Sequence, residues 1–250
     1  MSAPIGIIGG TALANLAGVE GAATDANAPD TPFGRASGPR VAGRFAGREV
    51  CFVMRHGPGH RIAPHAINYR ANIRALADAG CRQVIAVAAV GGITATMRPG
   101  RIVVPHQIVD YSWGRTHTFY EDPARGELDH VDFTDPYAPA LRRALIRAAE
   151  ELGFDPAEQA VHGVTQGPRL ETAAEIDRME RDGCDIVGMT GMPEAGLARE
   201  AGLDYACAAV VVNKAAGRTG GLAIHAEIEA TLAQGMHDIE RLLETVLPAL

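Results

Sequence analysis

Paired cysteines, basic clusters and long apolar runs are all missing from this sequence, and each absence excludes a class of protein. The four cysteines lie far apart with no C-x-x-C spacing, which argues against a disulfide framework and is typical of free thiols in a reducing compartment. The longest basic grouping is Arg142-Arg143, and 23 Lys and Arg residues face 30 Asp and Glu residues, for a formal charge of −7. Such a chain cannot track a nucleic-acid backbone, so we expect a cytoplasmic protein without a nucleic-acid partner.

No apolar run approaches the roughly 20 residues that a membrane span requires, so no membrane partner is expected. Residues 1–19 are apolar but lack a basic region and are broken by four glycines, which favours a strand over a signal peptide. At 250 residues, with 47% hydrophobic and 21% charged residues, the chain has the size and composition of one globular domain, which we place at residues 1–250.

Short apolar runs alternate with segments of helical period along the chain. The runs are apolar at successive positions, as in strands buried on both faces of a largely parallel sheet. Strands are predicted at 4–9, 50–54, 84–90, 101–105, 185–189 and 205–212, and helices at 67–80, 138–153 and 226–247. This alternation predicts a three-layer α/β/α sandwich around a mixed, mostly parallel sheet. Residues 20–40 and 112–137 show neither period and are predicted to be long loops, which usually carry function or an interface.

Residues at the carboxyl ends of the predicted strands are the first candidates for a site, because ligands of open parallel sheets bind there. After the first strand, Gly9-Gly10-Thr11 offers backbone amides and a hydroxyl to an oxyanion, although a structural glycine turn explains it as well. After the second, Arg55 supplies a fork of donors that matches phosphate, and His56 can add another donor. A metal site of His56, His60 and His65 is less favoured, since the glycines and proline between them prevent a helical i,i+4 pair.

Three further strand ends carry small or polar residues. Ala88 and Ala89 precede a glycine pair, which either lets a ligand approach the backbone or serves tight helix-on-sheet packing. Glu171 can be an acid near a helix start, Met189 a core residue and Thr190 a helix cap. For each residue alone the structural explanation is preferred. The occurrence of all of them together favours a functional site.

Four motifs in a fixed order carry a family resemblance. GGTAL is followed by RHGPGHRIAPHAINYRANIRAL, TQGPRLETAAEI and GMTGMPEAGLARE. This combination resembles the methylthioadenosine phosphorylase branch of the purine nucleoside phosphorylase family over nearly the whole chain, and within it the bacterial type that acts on S-methyl-5'-thioinosine. The resemblance implies a homotrimer with sites near subunit interfaces, in which inorganic phosphate attacks the anomeric carbon of a nucleoside and expels a purine. It also implies that no metal or cofactor is used, phosphate being a co-substrate.

The resemblance assigns most of the candidate residues to parts of the substrate. Those that it places at the phosphate are Thr11, Arg55, His56, Ala88, Ala89 and Thr190. The family often has a hydroxyl residue at position 88, so the alanine removes one side-chain contact to phosphate. Met189 is expected beneath the ribose. Leu170 stands where the family commonly stacks a phenylalanine on the purine, so here an aliphatic side chain must pack on the base.

Glu171 and Asn213 are expected to read the purine, with Lys214 and Ala215 beside them. Adenosine-specific relatives have aspartate at positions 213 and 215. An asparagine amide can donate to O6 of a 6-oxopurine, while its oxygen receives the proton that appears at N7 as the base departs. Glu171 can accept from N1–H of hypoxanthine or guanine but would face the lone pair of an adenine N1. We therefore predict a 6-oxopurine nucleoside as substrate, with catalytic roles for Asn213 and Glu171.

The 5' end of the nucleoside leaves alternatives open. His225 stands where purine nucleoside phosphorylases have a histidine that meets a 5'-hydroxyl, although a polar residue leading into an amphipathic helix is equally plausible there. His130 matches the family residue that reaches the 5' pocket of a neighbouring subunit. S-methyl-5'-thioinosine is the predicted substrate, with inosine and guanosine as the alternative. A non-catalytic nucleoside-binding protein is a remote alternative, and a dinucleotide oxidoreductase is disfavoured because its glycine fingerprint is missing.

Overall fold

The computed structural model describes residues 3–10, 19–122, 127–218 and 224–250. Within these ranges the strands are β1 (Ile5–Gly9), β2 (Glu20–Thr24), β3 (Asp30–Thr31), β4 (Gly34–Arg35), β5 (Arg40–Phe45), β6 (Arg48–Met54), β7 (Gln83–Gly92), β8 (Ile102–Val103), β9 (Gln107–Asp110), β10 (Val161–Val164), β11 (Ile186–Gly188) and β12 (Asp204–Lys214). The α-helices are α1 (Tyr69–Asp78), α2 (Pro139–Glu151), α3 (Ala173–Arg181), α4 (Gly191–Glu200) and α5 (Ile224–Val246). Among the helices of these ranges, none is both long and apolar enough to cross a membrane.

Strand β1 lies inside a ten-stranded sheet between two parallel neighbours. Its Ile7 pairs with Phe52 of β6 on one side and with Ile85 of β7 on the other. Strand β7 also pairs in parallel with β12 and, at its last two residues, antiparallel with β11. Strands β10 and β9 continue the sheet in parallel beyond β11, whereas β5 and β2 extend the opposite edge in antiparallel. The predicted mixed, mostly parallel sheet is confirmed.

Helices cover both faces of this sheet, which explains why its central strands are apolar at successive positions. Ile5 and Ile7 of β1 pack in one cluster with residues of α2 and α5. Ile8 packs on the other face, in a cluster with residues of α1 and α4. A strand covered on both sides has no solvated face on which polar residues could alternate. The predicted three-layer sandwich is therefore confirmed.

The prediction of a long loop over residues 20–40 is wrong. This region contains β2 and the short antiparallel pair of β3 and β4. All five residues of β2 are exposed, so this edge strand has no alternation of apolar and polar residues that would reveal it. Strands β9 and β10, of four residues each, are also absent from the prediction because they are too short to show a period. Residues 112–137 contain neither helix nor strand in their described part, as expected.

Candidate active site

A cavity of about 510 Å³ lies where several strands of the sheet end. The predicted site residues that line it are Arg55, His56, Ala88, Ala89, Leu170, Glu171, Met189, Thr190, Asn213 and Ala215. These residues come from segments that are far apart in sequence, and the ends of β6, β7, β11 and β12 bring them together. The cavity is therefore the place where the separate motifs can act as one site.

Arg55 is held at this cavity by a buried carboxylate that the sequence analysis missed. Its Nε and Nη2 donate to Oε2 and Oε1 of Glu194 at 2.6 and 2.7 Å, and its Nη1 donates to the carbonyl oxygen of Val87 at 3.1 Å. Glu194 is fully buried in α4 and also accepts from the Tyr205 hydroxyl at 2.8 Å. Burial opposes the charge on Arg55, but the Glu194 carboxylate raises the pKa of the guanidinium above its usual range. A guanidinium has five N–H groups, so the fork is fixed in orientation and still has donors for an anion.

His56 lies next to Arg55 as a neutral ring. Its Nδ1 donates to the carbonyl oxygen of Ile62 at 2.8 Å, and the ring stacks on His60 with centroids 4.1 Å apart. Burial, aided by the charge of Arg55, lowers the pKa of His56 to about 4. Because Nδ1 carries the proton, Nε2 is left as an acceptor. The predicted donor role of His56 toward phosphate stays a prediction; in this tautomer Nε2 can accept a hydrogen bond from a monoanionic phosphate.

Thr190 and two alanines of β7 line the cavity near Arg55. Thr190 precedes α4, but its side chain makes no capping hydrogen bond, so the explanation of this residue as a helix cap does not hold. Ala88 and Ala89 bring the backbone of β7 to the cavity wall. Gly92 serves packing instead, because a Cβ there would lie 2.0 Å from the carbonyl oxygen of Met97. Thr11, also predicted at the phosphate, lies outside the described residues.

Glu171 and Asn213 line the same cavity, and a neighbour fixes the polar group of each. The Thr165 hydroxyl donates to Oε1 of Glu171 at 2.6 Å. Nδ2 of Asn213 donates to the carbonyl oxygen of Lys214 at 2.8 Å. Each side chain retains hydrogen-bonding capacity: Glu171 through its second oxygen, and Asn213 through its amide oxygen and one N–H. Glu171 can therefore accept a hydrogen bond from one ring N–H of a ligand. Asn213 can donate to one atom of the ligand and accept from a neighbouring one.

The rest of the cavity wall is largely apolar, and much of it comes from α5. The lining residues of this helix are Ile224, Ile228, Leu232 and Met236, spaced by four along the chain and therefore on one face. Leu170, Met189 and Ala215 add further apolar surface from the sheet side. The cavity thus combines polar groups at the strand ends with an aliphatic helix face.

Three predicted residues lie elsewhere in the chain. His225 is exposed and does not line the cavity, since the neighbouring Ile224 belongs to the inward face and successive helical residues point in different directions. Lys214 does not line it either; its backbone N–H donates to the Glu227 carboxylate at 2.9 Å, which ties α5 to the end of β12. His130 is exposed and lies outside the cavity of this chain. Within the described ranges, no three His, Cys, Asp or Glu side chains are grouped as a metal ion would require.

A buried histidine beneath the site is expected to make folding sensitive to acid. His162 in β10 is 1% exposed, its Nδ1 lies 3.3 Å from the Tyr137 hydroxyl, and its Nε2 has no hydrogen-bond partner in the described part of the chain. Burial lowers the pKa of His162 from its usual 6.5 to about 4, so below pH 6.5 the unfolded chain binds a proton that the folded chain does not. The free energy of unfolding should therefore fall by about 1.4 kcal/mol for each pH unit between these values. Urea unfolding of His162→Leu at several pH values should show a slope smaller by that amount.

The matched control for this prediction is the exposed His237 of α5. His237→Leu should leave the dependence of unfolding free energy on pH unchanged. An equal slope in wild type and His162→Leu would show that His162 takes up its proton in the folded state, contrary to the prediction.

The fold and the position of the cavity are those of α/β proteins that bind ligands at the carboxyl ends of their strands. A family model described as "Phosphorylase superfamily" matches residues 4–248. The chain belongs to this family, and the resemblance found in its motifs is confirmed.

Named relatives cover nearly the whole chain. The chain is 51% identical over 243 residues to a probable S-methyl-5'-thioinosine phosphorylase of Pseudomonas syringae pv. tomato, covering 97% of this chain and 98% of the relative. It is 44% identical over 222 residues to the 6-oxopurine nucleoside phosphorylase of Pyrococcus furiosus, covering 87% and 83% of the two chains. Among solved structures, methylthioadenosine phosphorylase from Schistosoma mansoni in complex with adenine matches with a TM-score of 0.90 and 30% identity, over 99% of this chain and 92% of that one.

Proposed function

We propose that this protein is a 6-oxopurine nucleoside phosphorylase that converts S-methyl-5'-thioinosine and phosphate into hypoxanthine and S-methyl-5-thioribose 1-phosphate. The carrying observation is that Glu171 and Asn213 line one cavity with Arg55 and Thr190. Phosphate is a co-substrate, and the reaction uses neither metal nor cofactor. The protein works in the cytoplasm as a homotrimer, in which the exposed His130 reaches the site of a neighbouring subunit. Sedimentation equilibrium tests the subunit number.

The chemistry follows from holding an anion beside a nucleoside with a weakening glycosidic bond. As the bond from C1' to N9 stretches, the ribosyl group becomes oxocarbenium-like and a phosphate oxygen attacks C1'. Arg55 and Thr190 hold the phosphate, whose negative charge stabilises the developing positive charge. The Glu194 carboxylate fixes the Arg55 guanidinium before substrate binds. Orienting the guanidinium therefore adds little to the activation free energy. No covalent intermediate with the protein is required.

The departing purine takes the electron pair of the broken bond and gains at N7 the proton that hydrogen phosphate gives up as it becomes the sugar phosphate. The amide oxygen of Asn213 accepts from that N–H, while its remaining amide N–H donates to O6. The Glu171 carboxylate, held by Thr165, accepts from N1–H. The two Asn213 contacts strengthen as negative charge builds up on the ring and N7 is protonated, so they lower the barrier more than they tighten ground-state binding.

The apolar face of α5 favours a methylthio group over a hydroxyl at the 5' position. Ile228, Leu232 and Met236 offer a thioether only carbon and sulfur surface, and the one histidine at this end of α5, His225, points to solvent. A buried 5'-hydroxyl would lose its water without gaining a partner from this helix face. The 5' side of the cavity therefore supports the methylthio nucleoside over inosine.

Methylthioinosine should be cleaved with a kcat/KM about 10- to 200-fold above that of inosine, the range expected for a small apolar group in a matching pocket. Phosphate-dependent release of purine is measured for methylthioinosine, methylthioadenosine, inosine and guanosine. Leu232→Thr should lower the preference for the methylthio substrate and leave inosine cleavage nearly unchanged. Equal kcat/KM for the two inosine forms would favour an inosine and guanosine phosphorylase. No phosphate-dependent release from any of the four would contradict the proposed function.

A further inference from the structure

Arg115 is a buried arginine behind the cavity wall, in the long segment between β9 and α2. It is 8% exposed and is not among the residues that line the cavity. Within the described part of the chain no carboxylate forms an ion pair with it, and its fork is instead surrounded by neutral oxygen atoms. A buried cation held only by neutral acceptors is uncommon, because its desolvation must be offset by hydrogen bonds alone. The positions of those oxygens show what this arrangement achieves.

The first group of acceptors belongs to the 165–171 loop, which joins β10 to α3 and carries Glu171. Nη2 of Arg115 donates to the carbonyl oxygens of Thr165 and Gln166 at 3.0 and 2.9 Å, and Nε donates to the side-chain oxygen of Gln166 at 3.0 Å. Thr165 in turn donates its hydroxyl to Glu171. One edge of the guanidinium therefore fixes the residue that orients the base-reading carboxylate.

The second group belongs to the 189–192 turn, which leads from the end of β11 through the first two residues of α4 and carries Thr190. Nη1 of Arg115 donates to the carbonyl oxygens of Met189 and Met192 at 2.9 and 2.5 Å. Thr190 lies between these two carbonyls, so its position is set from both sides. Nη1 also lies 3.2 Å from the Tyr69 hydroxyl, which itself donates to the carbonyl oxygen of the cavity residue Pro64 at 2.9 Å.

We propose that Arg115 is a positioning residue, which holds the 165–171 loop and the 189–192 turn in register so that base and phosphate are bound at the spacing the reaction needs. The inference rests on the proposed function, since it takes Glu171 to read the base and Thr190 to bind phosphate. A planar fork with donors on three nitrogens joins two separate groups of carbonyls, which the single ammonium point of a lysine cannot do. Arg115 touches no substrate and acts only through the residues that do.

Arg142 offers a matched control for the purely structural part of this role. It is also partly buried, in α2, and donates to the carbonyl oxygens of Val104, Pro105 and Glu158. None of these residues lines the cavity or belongs to either segment that Arg115 joins. Loss of Arg142 should therefore cost folding stability without changing the geometry of the site.

Arg115→Ala should lower kcat for phosphorolysis by about 100-fold with a smaller change in KM, since an error of about 1 Å in positioning has an effect of this size. Arg115→Lys should recover little of the loss. Added guanidinium chloride at millimolar concentration should restore about tenfold of kcat in Arg115→Ala by occupying the vacated site, whereas sodium chloride at the same ionic strength should not. Arg142→Ala should keep kcat within about twofold of wild type and show no response to guanidinium.

Hydrogen exchange supplies a readout that needs no turnover. In Arg115→Ala the backbone amides of both segments should exchange faster, whereas in Arg142→Ala they should exchange as in wild type. Unchanged exchange in both segments, or an active wild type whose Arg115→Ala variant has the same kcat and KM, would overturn the positioning role. An inactive wild type would contradict the proposed function, and exchange in the two segments would then decide by itself whether Arg115 joins them.

Discussion

Adenosine and methylthioadenosine are expected to be cleaved with a kcat/KM roughly 10⁴-fold below that of the matching inosine forms, since sites built around buried polar partners discriminate on this scale. An adenine N1 presents a lone pair where the Glu171 carboxylate needs a donor. Thr165 holds that carboxylate in place, so it cannot easily turn away. Initial rates with the adenosine and inosine forms side by side measure the ratio. Comparable values of kcat/KM for the adenosine and inosine forms would contradict the assignment of a 6-oxopurine substrate.

Variants of Asn213 test the proposed contacts to O6 and N7 of the purine. Asn213→Ala should lower kcat for methylthioinosine by about 10²- to 10³-fold, the usual effect of removing one preorganised partner of transition-state charge. Its effect on KM should be smaller, because the N7 contact forms fully only as the base departs. Asn213→Asp should reduce the difference in kcat/KM between the inosine and adenosine forms. A carboxylate accepts from the N6 amino group of adenine but cannot donate to O6 of hypoxanthine. A pure KM effect in Asn213→Ala would remove this residue from the catalytic step.

Breaking the buried pair of Arg55 and Glu194 is expected to cost about 3–5 kcal/mol of folding free energy, because the remaining partner is left as an uncompensated buried charge. Arg55→Met should in addition lose about 10³-fold in kcat/KM for phosphate, since it removes the donors that hold the anion. Glu194→Gln should be destabilised similarly, yet retain more phosphate affinity because the guanidinium is still present. Urea unfolding and phosphate saturation curves measure the two effects separately.

The double variant Arg55→Met/Glu194→Gln separates folding from function. With both charges removed, its stability should recover toward that of wild type, whereas phosphate saturation should stay as poor as in Arg55→Met. Additive destabilisation in the double variant would show that the two residues do not depend on each other. Recovery of phosphate affinity together with stability would show that Arg55 does not bind the anion.

The sequence was sufficient to predict the sheet centre and most of the polar residues around the cavity, for a physical reason. Central strands such as β1, β7 and β12 are apolar at successive positions, and the polar residues that follow such strands are few. The rule that ligands bind at carboxyl ends therefore selected Arg55 and Thr190 without knowledge of the sheet order. Edge strands such as β2 lack this run of apolar residues, because both of their faces are exposed to solvent.

The supporting residues could not be predicted, because their roles depend on partners far away in sequence. Glu194 pairs with a residue 139 positions earlier, and in sequence it is only an acid in the first turn of a helix. In the sequence Thr165 is one polar residue of the TQGPRLETAAEI motif with no visible partner, and Arg115 lies in a segment without periodicity. The tautomer of His56 could not be predicted for the same reason, since it is set by the carbonyl of Ile62.

The first and last turns of helix α5 have different surroundings. Its first turns present Ile228 and Leu232 to the cavity, and its last turns bury Ile239, Leu242 and Leu243 in the core. The residues proposed to select the 5' group and the residues that hold the helix on the sheet therefore lie in different turns of one helix. Substitutions in the first turns can alter substrate range while the distal turns preserve the fold, which makes this helix a ready route for divergence among related phosphorylases.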